Sequence, residues 1–221
     1  DRLAKTNGDH LAADALLYKY IFEEIGLTAG KVFIYGVSDV GKTHSLVNTL
    51  QDMLPALSFH GDVNDAVILQ AMATKDADEI ERIRNVSHII VEMVSRVVDY
   101  LTNLQVRDNA LIKSDGTFLT IGEVKRKINL WLAELGAENP KGTIFSIGRD
   151  AGVPHSSGNP TNLLTLGQTI VFDVFPCEAG GGYFSDFTRT WSLGYSTDEA
   201  QELYDQVKTV YDQVTSKLKS G

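Results

Sequence analysis

Thr169-Ile170-Val171-Phe172-Asp173-Val174-Phe175 and, past a turn containing Gly180-Gly181-Gly182, Tyr183-Phe184-Ser185-Asp186-Phe187-Thr188-Arg189-Thr190-Trp191 decide how this chain is read. The first stretch is rich in β-branched and aromatic residues and ends in turn chemistry, so it reads as a strand. The second alternates, with Phe184, Asp186, Thr188 and Thr190 on one face, and reads as its hairpin partner. Paired in that way, Asp173 and Asp186 stand side by side, as cross-strand neighbours do. Two carboxylates that close repel each other and lose hydration, and they stay ionised when a cation shares them. Such a pair suits two divalent ions that activate a water for hydrolysis. The plainer alternative is two exposed hairpin aspartates, one of them paired with Arg189.

Working outward, Thr143-Ile144-Phe145-Ser146-Ile147 reads as a further strand. Ser196 and Glu199 open an amphipathic helix carrying Leu203, Val207, Val210, Tyr211, Val214 and Leu218. Upstream, Asp76/Glu79 and Thr120/Glu123 have capping-box spacing. The first pair predicts a long helix with Ile80, Ile83, Ile90, Val94, Val97, Leu101 and Leu104 in its stripe. The second predicts a shorter helix with Val124, Ile128, Trp131 and Leu135, stopped at Gly136. Near the start, Leu11 to Ile25 has helical spacing, Lys31-Val32-Phe33-Ile34-Tyr35 reads as a buried strand, and Ser45 to Leu54 reads as a helix ended by Pro55. The fold class is therefore α/β (α+β).

Gly36-Val37-Ser38-Asp39-Val40-Gly41-Lys42-Thr43 fits the phosphate-loop pattern G-x-x-x-x-G-K-[ST], with a strand before it and a helix after it. On that reading Lys42 reaches the phosphates, Thr43 holds magnesium, and the acidic strand Thr169–Asp173 completes the site. An ATPase or GTPase is thus one candidate function. The plain alternative is a capped strand-to-helix turn.

The chain has 221 residues, 43% hydrophobic and 22% charged, with a formal net charge of −9. This is a globular balance with enough length for a core. The acidic excess argues against nucleic acid or an anionic membrane surface as a general partner. No apolar run is long enough for a transmembrane helix. Cys177 is the sole cysteine and cannot form an internal disulfide, which favours a reducing, cytoplasmic setting. The chain opens Asp1-Arg2-Leu3-Ala4-Lys5, with no initiator Met, and reads as starting inside a longer one.

Pro154-His155, Leu166-Gly167-Gln168-Thr169-Ile170-Val171-Phe172-Asp173 and Gly182-Tyr183-Phe184-Ser185-Asp186-Phe187-Thr188-Arg189-Thr190 together resemble the pita-bread metallopeptidases. That family includes Xaa-Pro aminopeptidase, prolidase, methionine aminopeptidase and creatinase. The run from Ala71 to Asp76 and on to Arg84 resembles the family's linker. The resemblance implies a partial N-terminal α/β, creatinase-like lobe over residues 1–70 and the first half of a pita-bread catalytic domain over 71–221. It implies that Asp173 binds one divalent metal (manganese, cobalt or zinc), that Asp186 bridges two, and that His155 is the catalytic residue, contacting substrate or the reacting centre; the plain alternative for His155 is a loop histidine. Arg189 and Thr190 would hold the second strand, Tyr183 would pack, and Cys177 and Glu178 have no assigned role. The implied activity is cleavage of the peptide bond before proline, on a peptide with proline at its second position, and a homodimer is compatible with it. Lys42 and Thr43 would then be exposed turn residues.

Two departures from the family pattern stand out. The aspartates lie further apart in sequence than is common, which implies a longer hairpin. The His and two Glu that complete the family's ligand set follow the hairpin and the helix after it, whereas His10, His44, His60 and His88 all precede it. The chain is accordingly expected to be an internal fragment, inactive alone. A non-catalytic binding protein on the same fold is the third reading.

Overall fold

In the computed structural model, residues 2–219 are described. The chain divides into two compact units, residues 1–75 and 76–221.

The first unit runs α1 (Arg2–Lys5), α2 (His10–Glu24), β1 (Gly30–Ile34), α3 (Val40–Met53), β2 (Leu57–Gly61) and α4 (Ala66–Met72). β1 and β2 pair in parallel, Gly30 opposite Leu57 and Ile34 opposite Gly61, with α3 as the crossover. Its buried residues are few: Ala13, Ala15, Leu50 and Leu57. The expected buried strand is found in place but not buried, since Phe33 is 50% exposed and Ile34 37%. An apolar run is buried on both faces only when helices cover both. Here the sheet has two strands, and α2 and α3 pack on each other.

The second unit begins with α5 (Ala77–Thr102), capped as its sequence predicts: Asp76 accepts from the Glu79 N–H and Glu79 accepts from the Asp76 N–H. Then come β3 (Gln105–Arg107), β4 (Ala110–Ile112) and α6 (Ile121–Glu134). α6 carries its own reciprocal box between Thr120 and Glu123. Gly136 follows in the left-handed region at φ 82°, where a helix ends most cheaply. β5 (Ala137–Glu138), β6 (Thr143–Ile147), a 3-10 turn (Gly148–Gly152), β7 (Thr169–Val174), β8 (Cys177–Glu178), β9 (Phe187–Ser192) and α7 (Asp198–Thr215) complete it.

β6, β7 and β9 form an antiparallel sheet in that order. Along β7 the pleat sends Ile170, Phe172 and Val174 inward, all fully buried, and Val171 and Asp173 to the other face. The inward face joins Val97 and Leu101 of α5 and Val124, Ile128 and Leu132 of α6 in one core. Phe172 is its centre, with ring centroids 5.3 Å from Phe145 and 5.1 Å from Trp191. The buried α5 stripe is Val86, Ile90, Met93, Val97 and Leu101, whereas Ile80, expected within it, is 45% exposed. Ile80 lies in the first turn, ahead of the segment that meets the sheet.

Candidate functional site

The central strand β7 puts Asp173 on the face away from the core, half-buried, between Ile144 of β6 and Thr188 of β9. Thr188 Oγ1 donates to Asp173 Oδ1 at 2.8 Å. The hairpin register corrects the expectation that the two aspartates stand directly opposite each other. Asp173 pairs with Thr188, Val174 pairs with Phe187, and the isolated bridge of Cys177 to Phe184 continues the same register around the tip. Asp186 therefore sits diagonally, two residues along, on the same face as Asp173. A diagonal neighbour remains within reach of a carboxylate side chain.

The two carboxyl groups do interact. Loss of hydration first, and the Asp173 charge beside it second, raise the Asp186 carboxyl above its ordinary value, and the Phe187 N–H partly offsets this. Asp186 as a whole is exposed, so the lost hydration is local to the face it shares with Asp173. Like charges held this close favour a shared proton or a shared cation. The donor set is oxygen-only and anionic, which fits a hard divalent ion. Among the described residues no three His, Cys, Asp or Glu side chains converge as ligands.

His155 lies in the loop after the 3-10 turn, exposed and in the left-handed region at φ 59°. The loop is tied to the outer edge of β6. The Phe145 N–H donates to the Ser157 carbonyl at 3.4 Å, and Lys125 of α6 donates to the same oxygen. β9 flanks the opposite edge of β7. The structure thus brings Asp173 and Asp186 together. Among the described residues no hydrogen bond or ion pair joins His155 to either of them.

The phosphate-loop segment is a capped turn. Asp39 precedes α3, and its Oδ1 accepts from the Lys42 N–H at 2.8 Å. A bound phosphate would need that amide, and the loop's own carboxylate holds it. Lys42 Nζ lies 3.6 Å from Asp14 Oδ2.

Two kinds of residue escaped the sequence reading. The alternation along the second strand puts Thr188 on the face of Asp186, and that is the one sequence signal for its role. Arg82 and Glu178 are joined by a two-pronged ion pair across 96 residues, and no local pattern announces such a contact.

The carboxylate pair lies on the outer face of an antiparallel hairpin whose inner face packs on the capped helices α5 and α6. The fold is shared with solved structures. Xaa-Pro aminopeptidase from Thermotoga maritima MSB8 superposes with a TM-score of 0.71 at 21% identity, over 97% of this chain and 53% of that one. A dipeptidase from Pyrococcus horikoshii OT3 gives 0.68 at 20% identity, over 94% and 51%. Prolidase from Thermococcus sibiricus gives 0.64 at 21% identity, over 94% and 51%. This chain thus spans about half the length of these relatives. Residues 81–221 match the model of metallopeptidase family M24, and the chain belongs to that family. Comparison with curated proteins finds no match. No helix among the described residues is long and apolar enough to cross a membrane.

Proposed function

We propose that the whole protein is a metal-dependent aminopeptidase or dipeptidase that cleaves the peptide bond before proline. Residues 1–70 would be part of an N-terminal lobe and 71–221 the first half of the catalytic domain. The observation that carries this reading is the meeting of Asp173 and Asp186 on one face of the β7–β9 hairpin in a chain of family M24.

Asp173 and Asp186 would hold two divalent ions, manganese, cobalt or zinc. Such ions supply Lewis acidity and lower the pKa of water. The rest is the work of the chain. Asp173 is oriented by the Thr188 hydroxyl, which donates to its Oδ1. Asp186 faces the same side from a neighbouring strand position. His155 would contact the substrate and steady it by hydrogen bonding. A homodimer in the cytoplasm is the setting this reading favours. Among the described residues two carboxylates come together, fewer donors than a divalent ion takes, and the 221-residue chain alone is expected to be inactive.

The test is hydrolysis by the whole protein of an Xaa-Pro dipeptide beside its Xaa-Ala counterpart, with and without added Mn2+. Metal-stimulated cleavage confined to the proline substrate is expected. Equal cleavage of both dipeptides, or none with any of the three metals, would sink the substrate assignment.

A further inference from the structure

The N-terminal turns of α5 grip the hairpin tip that leads into Asp186. Arg82 donates to Glu178 twice, Nε to Oε1 at 3.0 Å and Nη2 to Oε2 at 2.6 Å. Its guanidinium lies 4.8 Å from the centre of the Tyr183 ring. The Tyr183 hydroxyl donates to Glu79, and the Tyr183 N–H donates to Glu178 Oε2 at 3.0 Å. A little further along α5, the Ser87 and Ser185 hydroxyls are 2.8 Å apart. Gly182 lets the tip close: a Cβ there would come within 2.2 Å of Glu178 Oε2 and 3.1 Å of Arg82 Nη2. From the other side, Glu138 of β5 pairs with Cys177 and accepts from the Gly180 N–H at 2.9 Å.

These contacts converge on one residue. Ser185, just before Asp186, is held by Ser87 and by its own N–H to the Pro176 carbonyl at 3.1 Å. Phe187, just after it, is fixed opposite Val174. Asp186 itself is exposed and diagonal to its partner, so its own packing cannot set its position. A bidentate Arg–carboxylate fork with a ring stacked on it is a rigid device for doing so.

We propose that Arg82, Glu178, Tyr183 and Ser87 are positioning residues for Asp186, holding its carboxylate where it and Asp173 can share a divalent ion. This rests on the reading of Asp186 as a metal ligand. Ligand geometry tolerates small error, and removing a group that orients a ligand typically costs about 10–100-fold in metal affinity.

The experiment is calorimetric titration of the whole protein with Mn2+, at a temperature where circular dichroism shows each variant folded. Asp186→Asn is expected to remove the binding. Arg82→Met is expected to weaken it about tenfold or more, and Arg82→Lys, which keeps the charge but not the fork, is expected to restore little of it. A purely structural ion pair would lower the melting temperature and leave the affinity of the folded protein unmoved. An Arg82→Met loss smaller than about fivefold, beside abolished binding in Asp186→Asn, overturns the positioning role and leaves the metal reading standing. Unchanged binding in Asp186→Asn overturns both. If Arg82→Met does not fold, Tyr183→Phe decides: a loss of about threefold or more supports the proposal, and a smaller one overturns it.

Discussion

The Thr188 hydroxyl donates one hydrogen bond, to Asp173, from an exposed position on β9. Thr188→Val keeps the β-branched shape and removes only that donor. The fold should barely notice, with a change within about 0.5 kcal/mol by denaturant unfolding. The freed Asp173 carboxylate should cost the whole protein about threefold to tenfold in Mn2+ affinity. Equal affinity in the two proteins would mean that Thr188 does not orient the ligand. A second residue-scale effect depends on pH. Lys113, hydrogen-bonded to Glu123, lowers the Glu123 carboxyl, and the same bond raises the Lys113 ammonium. A lowered acid adds stability above its unfolded value, about 4.3, and loses it as pH falls through the folded one. A raised base adds stability below its unfolded value, about 10.4, and loses it as pH climbs through the folded one. Glu123→Gln keeps the capping box and removes the charge. Its melting temperature should fall furthest below that of the parent between those limits, with the gap closing at either end. A gap independent of pH would count against the ion pair.

At the scale of elements, the capped helices and the three-stranded sheet were legible because their signals are local. Asp76/Glu79 and Thr120/Glu123 meet within one turn, and the alternation along Thr169–Val174 needs no partner to be read. What could not be read depends on distant residues. The exposure of Phe33 follows from what covers a strand, not from its sequence. The offset that puts Thr188 opposite Asp173 follows from where the hairpin turns, and the short β5–β8 pairing lengthens that turn. The Arg82–Glu178 fork joins α5 to β8, 96 residues apart in sequence. The loop bearing His155 shows the same limit. Gly158 sits at φ 81°, and a Cβ there would approach the Phe145 carbonyl oxygen to 2.5 Å and Ser146 Cα to 2.9 Å. Gly158→Ala should destabilise the fold by about 2 kcal/mol or more, from left-handed strain plus a clash with backbone that cannot yield. Chemical denaturation measures it, and a loss under about 0.5 kcal/mol would show that the loop is free to lift off β6.

For the molecule as a whole, Asp173 and Asp186 were both named from the sequence, and the fold brings them to one face. His155, the third residue the sequence singles out, lies in an exposed loop that is tied to β6 by the Phe145 N–H to Ser157 carbonyl hydrogen bond. Leu203, Val207, Val210, Tyr211 and Val214 of α7, and Leu218 beyond its end, are exposed, between 55% and 72% for each. The cap is Thr197, whose hydroxyl accepts from the Ala200 N–H, one residue on from the expected Ser196; with the periodic stripe it accounts for the helix without burial among the described residues. The −9 net charge includes the two carboxylates that would be neutralised by bound ions.

The most direct measurement is the Mn2+ electron paramagnetic resonance of the whole protein beside its Asp173→Asn and Asp186→Asn variants, with peptidase activity followed in the same samples. Bound Mn2+ is expected in the parent, lost or sharply weakened in both variants together with cleavage of the Xaa-Pro dipeptide. Bound metal and full activity persisting in Asp186→Asn would contradict the assignment of the carboxylate pair as the metal site.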